Sequence, residues 1–189
     1  MVTRYANRGK WLESAVIASD LIYRGRGIGY VEKLATPTRQ LGPERFIRTR
    51  GTVDFMGHFL GLPLAFDAKA TRQASLPHSN VKPHQVEAID NFSKGGGLGF
   101  LLVCFERDDI GCTYAVTPQW YEQAKLDLWP RVSIPSHHFK TASVDNNQEV
   151  VEVLHGDNGV PVGFGPASKK LKALVDVKGL KNGLQKDGL

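Results

Sequence analysis

The chain has 189 residues, 41% of them hydrophobic, a net charge of +5 and two cysteines. That length supports one buried core. No apolar run approaches the ~20 residues of a membrane-crossing helix and no signal-peptide pattern opens the chain, so a cytoplasmic protein is expected. Cys104 and Cys112 lie in apolar segments without a CxxC pattern, which favours free thiols over a disulfide or zinc site. Charge is concentrated at the ends: residues 1–50 hold ten Lys/Arg against four acids, and the last 25 add six lysines against two aspartates. Such a distribution suits a polyanion, most simply nucleic acid, although plain solubility accounts for the same net charge.

In chain order, Asn7 can cap a helix over residues 8–24 that Gly25 stops. Leu12, Ala15, Val16, Ser19 and Tyr23 form its apolar stripe, with Glu13, Ile17 and Asp20 on a neighbouring face. Residues 27–34 read as a strand. Residues 35–51 lose periodicity and carry four arginines against one acid, Glu44, as expected of a protruding basic segment that contacts phosphates or of an exposed loop.

Residues 51–71, GTVDFMGHFLGLPLAFDAKAT, read as two strands around a glycine-containing turn. The first, near 52–56, carries Asp54, and the second, near 63–70, carries Asp67 and Lys69. Alternation places Asp67 and Lys69 on one face and Phe66 and Ala68 on the other. Two carboxylates and a lysine therefore converge opposite an apolar face. An acid, twelve residues, then Asp-x-Lys in a hairpin has the form of a PD-(D/E)xK nuclease site. Asp54 and Asp67 can hold Mg²⁺, with Mn²⁺ as a substitute, against a phosphodiester, and Lys69 can assist the attacking water. An exposed, solvated face is the plainer reading of the same residues.

Residues 72–82 read as a linker, and Pro83 opens a helix to Lys94 with His84 and Gln85 at its start. Gln85 can orient water or phosphate, or be a surface glutamine. Gly95–Gly99 follows a helix and precedes a strand, so it is a helix stop rather than a phosphate-binding loop. Two strands follow, over 100–105 and 112–116, joined by a turn over 106–111. Thr117 and Pro118 then begin a helix to about Leu128. Beyond Trp129 the signal fades. His137-His138 lacks metal-ligand spacing, Asn158-Gly159 marks a turn, and residues 166–189 read as a basic tail.

The element order gives an α/β fold with a mixed sheet flanked by helices. Three regions are expected: a nuclease domain over 1–130 with its basic protrusion at 36–51, an extension over 131–165 and the tail over 166–189.

Several ordered motifs together resemble the RecU family of Holliday junction resolvases. They are Asn7-Arg8-Gly9 with Leu12-Glu13, the stretch from Lys33 to Pro37, residues 52–71, Ser75-Leu76-Pro77, and His84-Gln85. The resemblance covers roughly residues 5–125. It implies a restriction-endonuclease-like core, catalytic Asp54, Asp67 and Lys69, and supporting roles for Glu13 and Gln85. It further implies a homodimer whose stalk, here residues 36–51, enters a four-way DNA junction, and a recombinase partner. Arg8, Lys10, Arg39, Arg45, Arg48 and Arg50 are the expected DNA contacts. Glu13 is either a third carboxylate of the site or an exposed helix glutamate. The expected activity is metal-dependent cleavage of Holliday junctions by paired cuts in recombination or repair. The alternatives are a same-fold nuclease acting on other DNA, or a non-cleaving DNA-binding accessory protein.

Overall fold

The computed structural model describes residues 9–35, 38–43, 45–48, 51–106, 112–144, 150–155 and 161–163. A seven-stranded mixed sheet forms its centre, in the order β1 (Gly29–Lys33), β4 (Phe55–Phe59), β5 (Leu62–Thr71), β7 (Leu98–Phe105), β8 (Thr113–Val116), β10 (Val150–His155) and β11 (Pro161–Gly163). Only β5 and β7 run parallel, and α2 (Pro83–Lys94) forms part of the crossover between them. The remaining neighbours are antiparallel.

Helices cover both faces. On one, α1 (Lys10–Gly25) packs Leu12 and Val16 against Phe55, Phe59, Leu64, Phe66, Phe100 and Leu102. On the other, Ala65, Leu101, Val103 and Val116 meet Ile89 of α2, Tyr121 of α3 (Pro118–Asp127) and Phe139 of α4 (Ser136–Val144). The α/β expectation, a mixed sheet flanked by helices, is borne out. Thr117 caps α3, its side chain accepting the Trp120 N–H at 3.2 Å. Gly95, Gly96 and Gly97 close α2 and lead into β7, with Gly96 at φ 94°.

The structure departs from the sequence reading at several points. Helix α1 begins at Lys10 with Gly9 as its cap, because the positive φ of Gly9, 87°, places that residue outside the helical path. The expected cap Asn7 lies outside the described residues, as does Arg8. In the buried stripe Asp20 takes the place expected of Tyr23, which is only half-buried.

Residues 38–48 are paired rather than irregular: β2 (Thr38–Gly42) and β3 (Arg45–Arg48) form a separate antiparallel ribbon. This places Arg39 on β2 and Arg45 and Arg48 at the two ends of β3. Arg50 lies outside the described residues. The expected linker contains β6 (Ser75–Pro77) and a 3₁₀ turn (His78–Asn80), and β6 pairs with β9 (Ser133–Pro135). Residues beyond 130 thus return to the domain. Beyond β9 and α4, strand β10 bonds to β8 and widens the sheet, so the expected break near residue 130 is crossed by the sheet. Asn158-Gly159 and residues 166–189 lie outside the described residues.

Strand β4 starts at Phe55, not Thr52. The reason lies in Asp54, whose carboxylate accepts the Ala68 N–H at 3.1 Å in place of a backbone partner and ends the ladder there. At the other end Phe59 pairs with Leu62 across a two-residue turn. Leu60 and Gly61 both have positive φ, 50° and 80°, as the sharpest hairpins require.

One buried carboxylate fastens α1 to the sheet. Asp20 accepts the Val31 N–H at 2.6 Å and pairs with Arg24 at 2.5 Å. Replacing Asp20 by Ala strands a backbone donor of β1 and releases the arginine. Asp20→Ala is therefore expected to cost about 2–4 kcal/mol, read from urea unfolding midpoints. A loss under about 0.5 kcal/mol would show that the contact does not fasten the helix.

Candidate active site

The site is built on the middle of β5. Alternation along this strand puts Ala65, Asp67 and Lys69 on the face covered by α2, and Phe66 and Ala68 on the face toward α1. Neither face is open to water at this point. Asp67, expected on a face opposite the apolar one, is fully buried at 0% exposure. The sheet has a second apolar layer on that side, and the carboxylate sits within it.

Three groups act on Asp67. Gln85 donates its Nε2–H to Oδ1 at 2.5 Å. The Lys69 ammonium forms an ion pair with Oδ2. Asp54 lies close enough to act on its protonation. Burial is the largest influence and raises the Asp67 pKa from 3.8 to about 7; Lys69 lowers it and Asp54 raises it again.

Gln85 is itself oriented. It is the third residue of α2, and its Oε1 accepts the Lys82 N–H at 3.2 Å, which turns the amide nitrogen toward Asp67. Of its two expected readings, the surface glutamine is set aside, because the side chain bonds to a buried acid and lines the cavity beside it. Its side chain ties the start of α2 to the buried acid.

Beside these groups lies a polar cavity of about 210 Å³, lined by Leu34, Ala35, Gly51, Val53, Asp54, His84 and Gln85. It admits a phosphate and several waters. His84 is a lining residue that the sequence does not mark as part of the site; its one signal is its place next to Gln85 in the first turn of α2. Among the described residues no group of three or more His, Cys, Asp or Glu is disposed to hold a metal, so the oxygen donors on offer are the two aspartates.

Asp54, Asp67, Lys69 and Gln85 are thus brought together. Glu13 is engaged elsewhere: its carboxylate bonds to Lys33 Nζ at 2.5 Å. The next residue, Leu34, donates its N–H to the Asp54 carbonyl at 2.8 Å, so this pair borders the site without joining the aspartates. Lys10 is exposed at the first position of α1. Cys104 and Cys112 are free thiols. No helix among the described residues is long and apolar enough to cross a membrane.

The family model for RecU, "Recombination protein U", matches residues 7–155, which includes every residue of this arrangement. The chain belongs to the RecU family. Similar proteins include the Holliday junction resolvase RecU of Mycoplasmopsis pulmonis, 33% identical over 103 residues, covering 54% of this chain and 66% of the relative. That of Streptococcus uberis is 33% identical over 113 residues, covering 53% and 56%. That of Streptococcus gordonii is 31% identical over 136 residues, covering 65% and 67%. The chain spans roughly half to two-thirds of the length of these relatives. Hjc, a Holliday junction resolvase of Archaeoglobus fulgidus, aligns at a TM-score of 0.34 and 15% identity over 52% of this chain and 71% of that one, a likeness too slight to argue from.

The raised pKa of Asp67 carries a stability consequence. Folding favours its neutral form, so its contribution is fully present below the unfolded value of 3.8 and is lost as pH rises toward about 7. The loss is on the order of 4 kcal/mol in the absence of a cation. Asp67→Asn, which is neutral at every pH, should therefore melt well above the parent at pH 8 in EDTA. The gap should close toward pH 4. A gap independent of pH would mean that Asp67 is not carrying this burden.

Proposed function

We propose that this chain is a divalent-metal-dependent endonuclease that cuts four-way DNA junctions. The observation that carries the proposal is the buried Asp67, held by Gln85 and Lys69 beside Asp54 at the edge of a polar cavity. Two carboxylates at such close quarters repel: Asp54 raises the Asp67 pKa even with Lys69 paired to Oδ2. A cation is the natural relief for that arrangement. An all-oxygen donor pair, completed by water and phosphate, suits Mg²⁺ with Mn²⁺ as a substitute.

Asp54 and Asp67 would hold the ion. When bound, it would acidify a water and stabilise charge on the phosphate undergoing attack. Lys69, on the Oδ2 side of Asp67, places a positive charge where the attacked phosphate gains negative charge. Gln85, on the Oδ1 side, keeps the acid in its orientation without touching the substrate. The ribbon of β2 and β3, with Arg39, Arg45 and Arg48 along it, is the proposed phosphate-contacting arm, and Arg8, Lys10 and Arg50 add charge near it in sequence.

Junction cleavage as the activity is supported by membership of the family and by the names of the similar proteins. A four-way junction needs two symmetric cuts and this chain supplies one site, so the working unit would be a two-fold homodimer. Glu13 is placed at the margin of the site through Lys33 and is not assigned a metal. A recombinase partner rests on the family resemblance alone.

The deciding experiment offers purified protein a labelled four-way junction and a matched linear duplex, with Mg²⁺ or EDTA. Paired, metal-dependent nicks in the junction are expected, and Asp67→Ala should reduce them at least about 10²-fold while junction binding persists. Equal cutting of both DNAs would move the protein to another class of nuclease. Selective binding without cutting in Mg²⁺ or Mn²⁺ would make it an accessory protein.

Gln85 has its own signature. Gln85→Ala should raise the Mg²⁺ concentration for half-maximal cleavage by about 10- to 100-fold, as loss of a ligand-orienting partner does, with calorimetric metal affinity falling in parallel. A lower rate at unchanged metal affinity would place Gln85 on the substrate instead.

A further inference from the structure

Of the seven residues lining the polar cavity beside Asp67, four bring no polar side chain: Leu34, Ala35, Gly51 and Val53. Asp54 accepts the Ala68 N–H and offers the cavity only oxygen. Gln85 spends its amide oxygen on the Lys82 N–H and donates its amide nitrogen to Asp67. His84 is what remains. Its ring is half-buried and makes no hydrogen bond, ion pair or ring contact among the described residues.

The backbone of the same residue is also unspent. Gln85 and Val86 both donate their N–H to the Lys82 carbonyl, at 2.9 and 3.3 Å, and Pro83 has no N–H to give. The His84 N–H has no partner among the described residues. The turn that carries it is nevertheless held firmly, since Gln85 is bonded on both sides and Val86 is buried. A side chain with free donors is thus mounted on a fixed turn at the cavity wall. The Lys69 ammonium is paired with Asp67 and does not line the cavity.

The chemistry of a phosphodiester says what that donor is for. A diester brought up to Asp54 carries one negative charge over two non-bridging oxygens. An ion between the aspartates meets part of that charge, and the oxygen it leaves needs a hydrogen-bond donor as water is displaced. Among the lining side chains only His84 is wholly uncommitted.

From this we infer that His84 grips the phosphate entering the cavity, its ring N–H donating to a non-bridging oxygen and holding that phosphate beside Asp54. The inference rests on the nuclease reading above and adds to it a residue that touches the substrate. An imidazole carries an N–H in either protonation state, so the contact requires no proton transfer.

The test neutralises one phosphate at a time. Four-way junctions carrying a single methylphosphonate, at the cut position or a few nucleotides away, are bound by the whole chain in EDTA. On the fully charged junction, His84→Ala is expected to weaken affinity about 10-fold, and His84→Asn, which keeps an N–H, to restore most of it. At the cut position, one methylphosphonate diastereomer should abolish the effect of His84→Ala. At the distant position that effect should be undiminished. In Mg²⁺ the single-turnover rate of His84→Ala should fall by about 10- to 100-fold, while calorimetric Mg²⁺ affinity without DNA holds. Circular dichroism melts of each variant check folding.

An equal effect of His84→Ala on every junction overturns the contact. Unchanged binding and rate overturn it too and leave His84 a solvated helix residue. A fall in Mg²⁺ affinity overturns it by assigning the ring to the ion. If the parent binds the junction but never cuts it, the nuclease reading fails separately. A methylphosphonate scan along each strand in EDTA then scores His84 alone: one coupled phosphate supports the grip, and none overturns it.

Discussion

Everything at the centre of this protein depends on one carboxylate kept out of water. Asp67 sits in the middle of the longest strand, under a helix, within an apolar layer. A charge there is costly; Lys69 from the same strand and Gln85 from α2 offset it, while Asp54 from the segment entering β4 opposes it. Together they come from three separate stretches of chain. The fold can be viewed as the means of holding those stretches around that acid. The parallel β5–β7 ladder fixes the strand, and Gly99 lets α2 approach it closely, since a side-chain carbon there would lie 2.5 Å from the Ile89 carbonyl oxygen.

The same arrangement gives the molecule a fixed centre. The acids and Lys69 are mounted on or beside central strands, where neighbours on every side restrict their movement. The β2–β3 ribbon, by contrast, is a two-stranded sheet separate from the central one.

Much of the centre is legible in the sequence itself. The Asp-x-Lys alternation, the proline-started helix with Gln85, the Thr117 cap and the glycine stop after α2 are local signals, and each is where its residues put it. What is not legible depends on partners distant in the chain. Strands β6 and β9 have three residues each and exist because they pair with one another. Helix α4 has no clear apolar period and is held mainly through Phe139, which inserts among Phe105, Tyr114 and Trp120. The burial of Asp67 escapes a sequence reading for a related reason. Alternation separates the two faces of a strand but does not say that both are covered.

The β5–β7 pairing also bears on when the cluster around Asp67 is assembled. Leu64 pairs with Leu98, and between them the chain must fold β6, the 3₁₀ turn and α2 before the ladder can close. Contacts so distant in sequence form late, since loop closure must precede any gain from them. Gln85 reaches Asp67 only once α2 has docked. A nascent or partly unfolded chain therefore holds its acids and lysine as scattered side chains.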